Sequence, residues 1–249
     1  MNFRTPITLT GSAWALSLLL AACAPPLQVP APAPGRAPDP PAIRWVRTAA
    51  EHDVLFRQTY GWITERVEAR IRGLDREAWA VIVDADETVL DNSDYQVRRS
   101  RKGLGYTPES WAAWVRAEEA PALPGAVAFV RRIKELGGVV VVVTNRDEDV
   151  CEHTRRNLDA AGLDFDVVLC RQAGVSEKET RFRSVEDGTT PAGLPPLEVV
   201  AWVGDNIQDF PGGSQDLRDA DPRFVAGFGV RFFLLPNPMY GSWERNPPE

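Results

Sequence analysis

The chain has 249 residues, 44 % of them hydrophobic and 25 % charged, proportions that suit a folded globular protein and exclude a fibrous or wholly disordered one. Its 28 basic and 35 acidic residues give a formal charge of -7, which leaves no electrostatic footprint for a nucleic-acid partner. A protein of this balance that handles anions must gather positive charge locally, through a metal ion and a few placed Lys or Arg side chains.

The first 22 residues contain one charged side chain, Arg4, and an apolar run through Trp14-Ala15-Leu16-Ser17-Leu18-Leu19-Leu20. That is the pattern of a signal peptide, too short and too soon interrupted for a membrane span. It ends in Leu20-Ala21-Ala22-Cys23, which resembles the bacterial lipobox, whose Cys becomes the lipidated first residue. Cys23 is therefore the expected lipidation site, and contact with a membrane is expected through that anchor alone. Residues 23–42 are rich in proline and alanine and read as an extended tether. The folded domain is expected over residues 43–249.

From Trp45 to about Leu74, apolar residues at helical spacings predict one or two amphipathic helices. Ala78 to Val83 is a short apolar run ending in acid, the profile of a buried strand whose carboxyl end meets solvent. Thr107-Pro108-Glu109 opens a helix bearing Trp111 and Trp114, and a further helix runs from Pro124-Gly125 to Leu136, stopping at Gly137-Gly138. Val139 to Val143 forms the next buried strand. A helix over Asp147–Ala161, a strand over Asp166–Leu169, a helix from about Glu177 and a strand over Glu198–Val203 follow. This alternation predicts an α/β fold, a doubly wound parallel sheet with an N-terminal helical segment, in which ligands sit beyond the carboxyl ends of the strands. Cys151 in a first helical turn and Cys170 at a strand end fall at the same sheet edge, so a disulfide and two free thiols are both compatible with the sequence.

Chemistry gathers at that edge. Val83-Asp84-Ala85-Asp86 places two carboxylates two residues apart, and alternation points both toward one site. Paired like charges invite a divalent cation, and oxygen ligands suit Mg²⁺. A carboxylate can also attack phosphorus and split hydrolysis into two steps. Thr144-Asn145-Arg146 follows the valine strand with groups suited to phosphate oxygens. Lys178 lies near a helix start, and Gly204-Asp205-Asn206-Ile207-Gln208-Asp209 supplies two more carboxylates. Singly each segment is bland; in this order, three of them at strand ends, they form one site.

The ordered set resembles the haloacid-dehalogenase (HAD) superfamily. Asp84-Ala85-Asp86-Glu87-Thr88-Val89-Leu90-Asp91-Asn92-Ser93, Trp111-Ala112-Ala113-Trp114-Val115 and Pro236-Asn237-Pro238-Met239-Tyr240-Gly241-Ser242-Trp243-Glu244 are similar to the lipoprotein class C acid phosphatases. One departure is Asp94, where the family pattern has proline. The resemblance implies a HAD-like sheet with a small helical cap and an outer-membrane, Mg²⁺-dependent enzyme acting on nucleoside monophosphates and other small phosphomonoesters. By matching position, Asp84 is the expected nucleophile and Asp86 the general acid. Thr144, Asn145 and Lys178 are expected to bind phosphate. Asp84, Asp86 through its main-chain carbonyl, Asp205 and Asp209 are expected to serve the metal. Arg146, Asn206 and Arg181 are further candidates. Trp111 or Trp114 and Tyr240 are the aromatics expected near a nucleotide base. Transfer to an alcohol acceptor, or a surface lipoprotein that binds without turnover, are the rival readings.

Overall fold

The computed structural model describes residues 38–247, so the signal segment, Cys23 and the tether up to residue 37 lie outside the described residues. Helix α1 (Pro41–Thr48) begins two residues before the expected boundary at Ile43. Proline at a first helical position forfeits no hydrogen bond, because that N–H would be unpaired in any case. Asp39, just ahead of it, pairs with Arg101 at 3.0 Å. Helix α2 (Ala50–Arg70) follows. No described helix is long and apolar enough to cross a membrane.

Strands β1 (Trp79–Val83), β2 (Val139–Asp147), β3 (Val167–Arg171), β4 (Glu198–Gly204) and β5 (Phe232–Leu234) form one parallel sheet in the order β3-β2-β1-β4-β5. All five residues of β1 and the five valines of β2 are buried. Alternate residues pack on opposite faces, as the period of two requires. Val81, Val83, Val140 and Val142 join Phe56, Ile63, Phe129, Ile133 and Leu158 on one face, while Ile82, Val141, Val143, Val199 and Trp202 join Phe182, Val185 and Phe210 on the other. A sheet covered on both faces needs β-branched side chains on both, which explains the unbroken valine run. Burying each Val contributes about 1.5–3 kcal/mol.

Between β1 and β2 the chain inserts α3 (Ser93–Ser100), α4 (Pro108–Ala117) and α5 (Ala126–Leu136). The Thr107 hydroxyl accepts from the Ser110 N–H at 3.2 Å, and the Ser110 hydroxyl in turn accepts from the Thr107 N–H at 3.3 Å, which starts α4 where the sequence predicts. The first two helices are the small cap. Asp94 lies in the first turn of α3 and pairs with Arg47 of α1 at 2.6 Å, so the residue that departs from the family pattern ties the cap to the N-terminal helix. The Arg47 contact also holds its carboxyl below the usual range.

Helix α6 (Cys151–Ala160) and helix α7 (Glu179–Glu186) complete the layers. Cys151 and Cys170 form a disulfide with a Cα–Cα distance of 5.9 Å, joining the start of α6 to β3. Closing a loop with a sequence separation of 19 stabilises by about 3 kcal/mol through the unfolded chain. Reduction, or replacement of both cysteines by serine, is therefore expected to lower the melting temperature measurably, whereas an unchanged melt would mean the bridge contributes nothing.

Candidate active site

β1 ends on Val83, and the next residue stays in the sheet because the Asp84 N–H donates to Val203 O at 2.9 Å. The chain then folds back: the N–H groups of Val89 and Leu90 donate to Ala85 O at 3.0 and 2.9 Å. Glu87, with φ at 53°, supplies the left-handed residue this turn needs, an uncommon conformation for a side chain larger than glycine. The turn is clamped from outside, since the buried Tyr60 hydroxyl of α2 donates to Thr88 O.

Lys178, immediately before α7, extends its ammonium between two carboxylates, 2.5 Å from Asp84 Oδ1 and 2.7 Å from Asp209 Oδ1. The other Asp209 oxygen accepts from the Asn206 N–H at 2.9 Å. Asp205 accepts from Asn237 at 2.8 Å and from the Thr88 hydroxyl at 3.3 Å. Asp84 Oδ2 has no hydrogen-bond partner among the described residues. Gly204 is required here, because a Cβ at that position would lie 2.3 Å from Asp209 Cβ. Gly204→Ala is expected to displace Asp209 from Lys178 and lower turnover by roughly tenfold or more, a misplacement effect that steady-state kinetics would read.

These contacts carry an electrostatic imbalance. Burial raises the Asp84 carboxyl to about 7; Lys178 opposes that rise, while Asp209 and Asp86 add to it. Burial likewise raises Asp205 well above its ordinary value, helped by Asp209 and Asp84. For Lys178 burial acts to lower the pKa, but Asp209 and Asp84 outweigh it and the net direction is upward. Three carboxylates face one ammonium. One oxygen from each of Asp84, Asp205 and Asp209 lies within 4.8 Å of the others. An all-oxygen donor set with two uncompensated negative charges fits a hard divalent cation.

Asp86 faces different partners. Its Oδ1 meets Arg146 Nη2 at 2.8 Å, Arg146 Nε at 2.9 Å and Asn92 Nδ2 at 2.9 Å. The two aspartates thus share a cleft but not a counter-ion. Their side chains line a cleft of about 250 Å³ together with Lys178, Asp205 and Asp209. Larger hollows of about 870 and 780 Å³ lie along β5 and beside β3. The first touches the acidic cluster through Asp205 alone, and the second does not reach it, so the chemistry belongs to the small cleft.

Thr144, Asn145 and Arg146 fall within β2, not beyond it, in a stretch where the pairing with β3 shifts register. Thr144 is fully buried, its hydroxyl accepting from the Arg146 N–H at 3.1 Å, and it does not line the cleft. Asn145 does line it, with Oδ1 held by Arg181 at 2.7 Å. Trp111 and Tyr240 are on the cleft wall, whereas Trp114 is buried and donates its indole N–H to Asn92 Oδ1 at 2.8 Å. Asn206 also lines the cleft. Sequence reasoning missed Tyr106, Arg171 and Gln208, which border the same cleft from a loop, the end of β3 and a 3₁₀ turn. Tyr106 and Arg171 stand in no pattern that marks them, and Gln208 lies inside the segment 204–209 singled out for its aspartates.

The family model described as HAD superfamily, subfamily IIIB (acid phosphatase), matches residues 41–243. Two solved structures of the class C acid phosphatase from Bacillus anthracis, one with tungstate bound, resemble the chain with a TM-score of 0.72 and 32 % identity. The match covers 82 % of this chain and 85 % of that one. Vegetative storage protein 1 of Arabidopsis thaliana is 24 % identical over 166 residues, 64 % of this chain and 54 % of that protein. The chain spans about half the length of this curated relative.

Proposed function

The chain belongs to the acid phosphatases of HAD subfamily IIIB and is a phosphomonoesterase; from that premise we propose that Asp84 is its nucleophile and Asp86 its general acid and base. The observation that supports this reading best is the asymmetry of Asp84. Its Oδ1 is held by Lys178, while Oδ2 is unpartnered at the floor of the cleft. Asp86 stands beside it on a separate set of partners, suited to a different task.

In the first step an Asp84 oxygen forms a bond to phosphorus as the bond to the leaving oxygen breaks. The proton on Asp86 passes to that oxygen, releasing the alcohol. Asp86 then takes a proton from water, whose oxygen attacks the aspartyl-phosphate; the bond to Asp84 breaks, phosphate leaves and Asp86 is again protonated. Lys178 and Asn145 hold phosphoryl oxygens, while the buried Thr144 hydroxyl, expected from the sequence to do the same, accepts from the Arg146 N–H instead. Asp84, Asp205, Asp209 and the Asp86 main-chain carbonyl would hold Mg²⁺, which would supply charge neutralisation and a fixed orientation for the phosphoryl group.

Metal binding at these carboxylates couples to stability. Without a cation, Asp84 has a folded pKa near 7, above its unfolded value, so its contribution favours the folded protein at low pH and is lost as pH rises toward 7. Asp205 acts in the same direction. Mg²⁺ needs the ionised carboxylates, so the melting-temperature difference between Mg²⁺ and EDTA samples is expected to be near zero at about pH 4 and largest above about pH 7. A difference that does not grow with pH would remove the carboxylate site.

Substrates are proposed to be nucleoside monophosphates and similar small phosphomonoesters, because Trp111 and Tyr240 offer aromatic faces beside an open cleft. Tyr240→Ala is expected to raise KM for nucleotides by roughly tenfold while leaving glycerol phosphate unchanged. Equal shifts for both would overturn base recognition. The chain is further proposed to be anchored in the cell envelope through Cys23, at the outer membrane because Ala24 provides no acidic retention signal. Loss of lipid labelling in Cys23→Ala would support the anchor, and persistence would refute it.

A further inference from the structure

Asn92 is fully buried, and every hydrogen-bonding position of its side chain is used. Its Oδ1 accepts from Trp114 Nε1 at 2.8 Å and from Arg146 Nη2 at 3.2 Å. Its Nδ2 donates to Asp86 Oδ1 at 2.9 Å and to Glu87 Oε2 at 3.3 Å. An indole N–H and a guanidinium can only donate, so the atom facing them must be the amide oxygen. That fixes the NH₂ group toward the carboxylates without ambiguity.

Arg146 completes the arrangement and is expensive to keep. It is fully buried, and its Nη1 has no hydrogen-bond partner. An unpaired buried donor is destabilising, and a buried ion pair adds little net stability. What the residue does achieve is positional. Its Nε and Nη2 both reach the same Asp86 oxygen that Asn92 holds. Three donors therefore converge on Oδ1, while Oδ2 has no hydrogen-bond partner among the described residues. Asp86 lines the cleft and its side chain keeps 17 % exposure.

We propose that Asn92 and Arg146 are positioning residues that lock the rotation of the Asp86 carboxylate by Oδ1 and so present Oδ2 to the leaving oxygen, with Trp114 fixing the amide. The inference deepens the reading above and rests on Asp86 being the general acid. It also assigns work to the small cap: Trp114 belongs to α4 and Asn92 immediately precedes α3, so cap helices and acid are joined by one hydrogen-bond chain. Arg146 ties in β2, because its own N–H donates to Thr144.

A purely structural role would slow all substrates alike, whereas misorientation of a general acid hurts most where the leaving alcohol is least acidic. The test is kcat/KM, at saturating Mg²⁺, for monoesters of graded leaving-group acidity, from p-nitrophenyl to alkyl phosphate, with wild type, Asn92→Ala, Trp114→Phe and Asp86→Ala. Asp86→Ala is expected to lose about 10²–10⁴-fold on alkyl phosphate and much less on p-nitrophenyl phosphate. Asn92→Ala should follow the same slope with a loss of about 10–100-fold, and Trp114→Phe with a loss of a few-fold. Trp114→Phe keeps most of the aromatic packing and loses the N–H donor, so it decides the matter if Asn92→Ala does not fold. Uniform losses in Asn92→Ala or Trp114→Phe, with Asp86→Ala still discriminating, would overturn the positioning role. A flat response in Asp86→Ala itself would overturn the acid assignment and the inference with it.

Discussion

Asp84→Asn is expected to lower kcat by roughly 10⁴-fold or more, because an amide cannot form the aspartyl-phosphate. The fold should survive. One oxygen of Asp84 lies within 4.8 Å of oxygens of Asp205 and Asp209, and burial already works against its charge. Replacing it with a neutral isostere removes repulsion from Asp209 and Asp86 while leaving Lys178 paired with Asp209 at 2.7 Å. In EDTA the variant is therefore expected to melt no lower than wild type, and its gain from Mg²⁺ should shrink. Loss of activity together with a collapse of the melt would instead indicate that Asp84 is needed for folding.

Lys178→Met should have the largest effect on stability. The ammonium is buried and touches both Asp84 and Asp209, so removing it leaves two buried carboxylates without their counter-charge, a change worth about 3–5 kcal/mol. The pH dependence follows in sign. In wild type the Lys178 pKa is raised, so its contribution is present throughout the range below its unfolded value and is lost only as pH rises through the folded one. In the variant Asp84 loses the Lys178 charge that opposes its rise and is pushed further up, so stability should recover as pH falls and be worst at neutral and alkaline pH. Mg²⁺ should restore part of the loss. Denaturant melts at about pH 5 and pH 8, with Mg²⁺ and with EDTA, read all three effects. Turnover should also fall by about 10²–10³-fold, since a preorganised charge beside the phosphoryl oxygens is lost. A variant as stable as wild type at pH 8 in EDTA would contradict the buried cluster.

The parts of this architecture that were legible in the sequence share a cause: each depends on neighbours along the chain. Val139 to Val143 reads as a buried strand because five β-branched residues in succession suit little else. Thr107 and Pro108 announce α4 through capping and a first-turn proline. Asp84, Lys178, Asp205 and Asp209 could be singled out because each adjoins a recognisable strand end or helix start. The elements that escaped notice are short or depend on distant partners. α3 has only Tyr95, Val97 and Ser93 buried, too few for a visible period, and β5 is a three-residue edge strand beside β4.

The extension of β2 to Asp147 is hidden for a related reason. Thr144, Asn145 and Arg146 look like a loop, but Arg146 is buried because Asp86, 60 residues earlier, neutralises it. Asn92 lies inside a motif read for its aspartates, yet its four contacts come from Asp86, Glu87, Trp114 and Arg146, the last two 22 and 54 residues away. No local pattern encodes such a meeting. The same limit applies to the disulfide, which spacing permits but only the approach of α6 to β3 decides.

On this mechanism phosphate passes through a covalent bond to Asp84. Acid quench during turnover of a labelled phosphomonoester with Mg²⁺, followed by peptide mass analysis, tests it most directly. One phosphoryl group is expected on the peptide containing Asp84 in the wild-type protein and none in Asp84→Asn, which should also release no phosphate. Label on a different residue, or undiminished phosphate release by Asp84→Asn, would exclude Asp84 as the nucleophile.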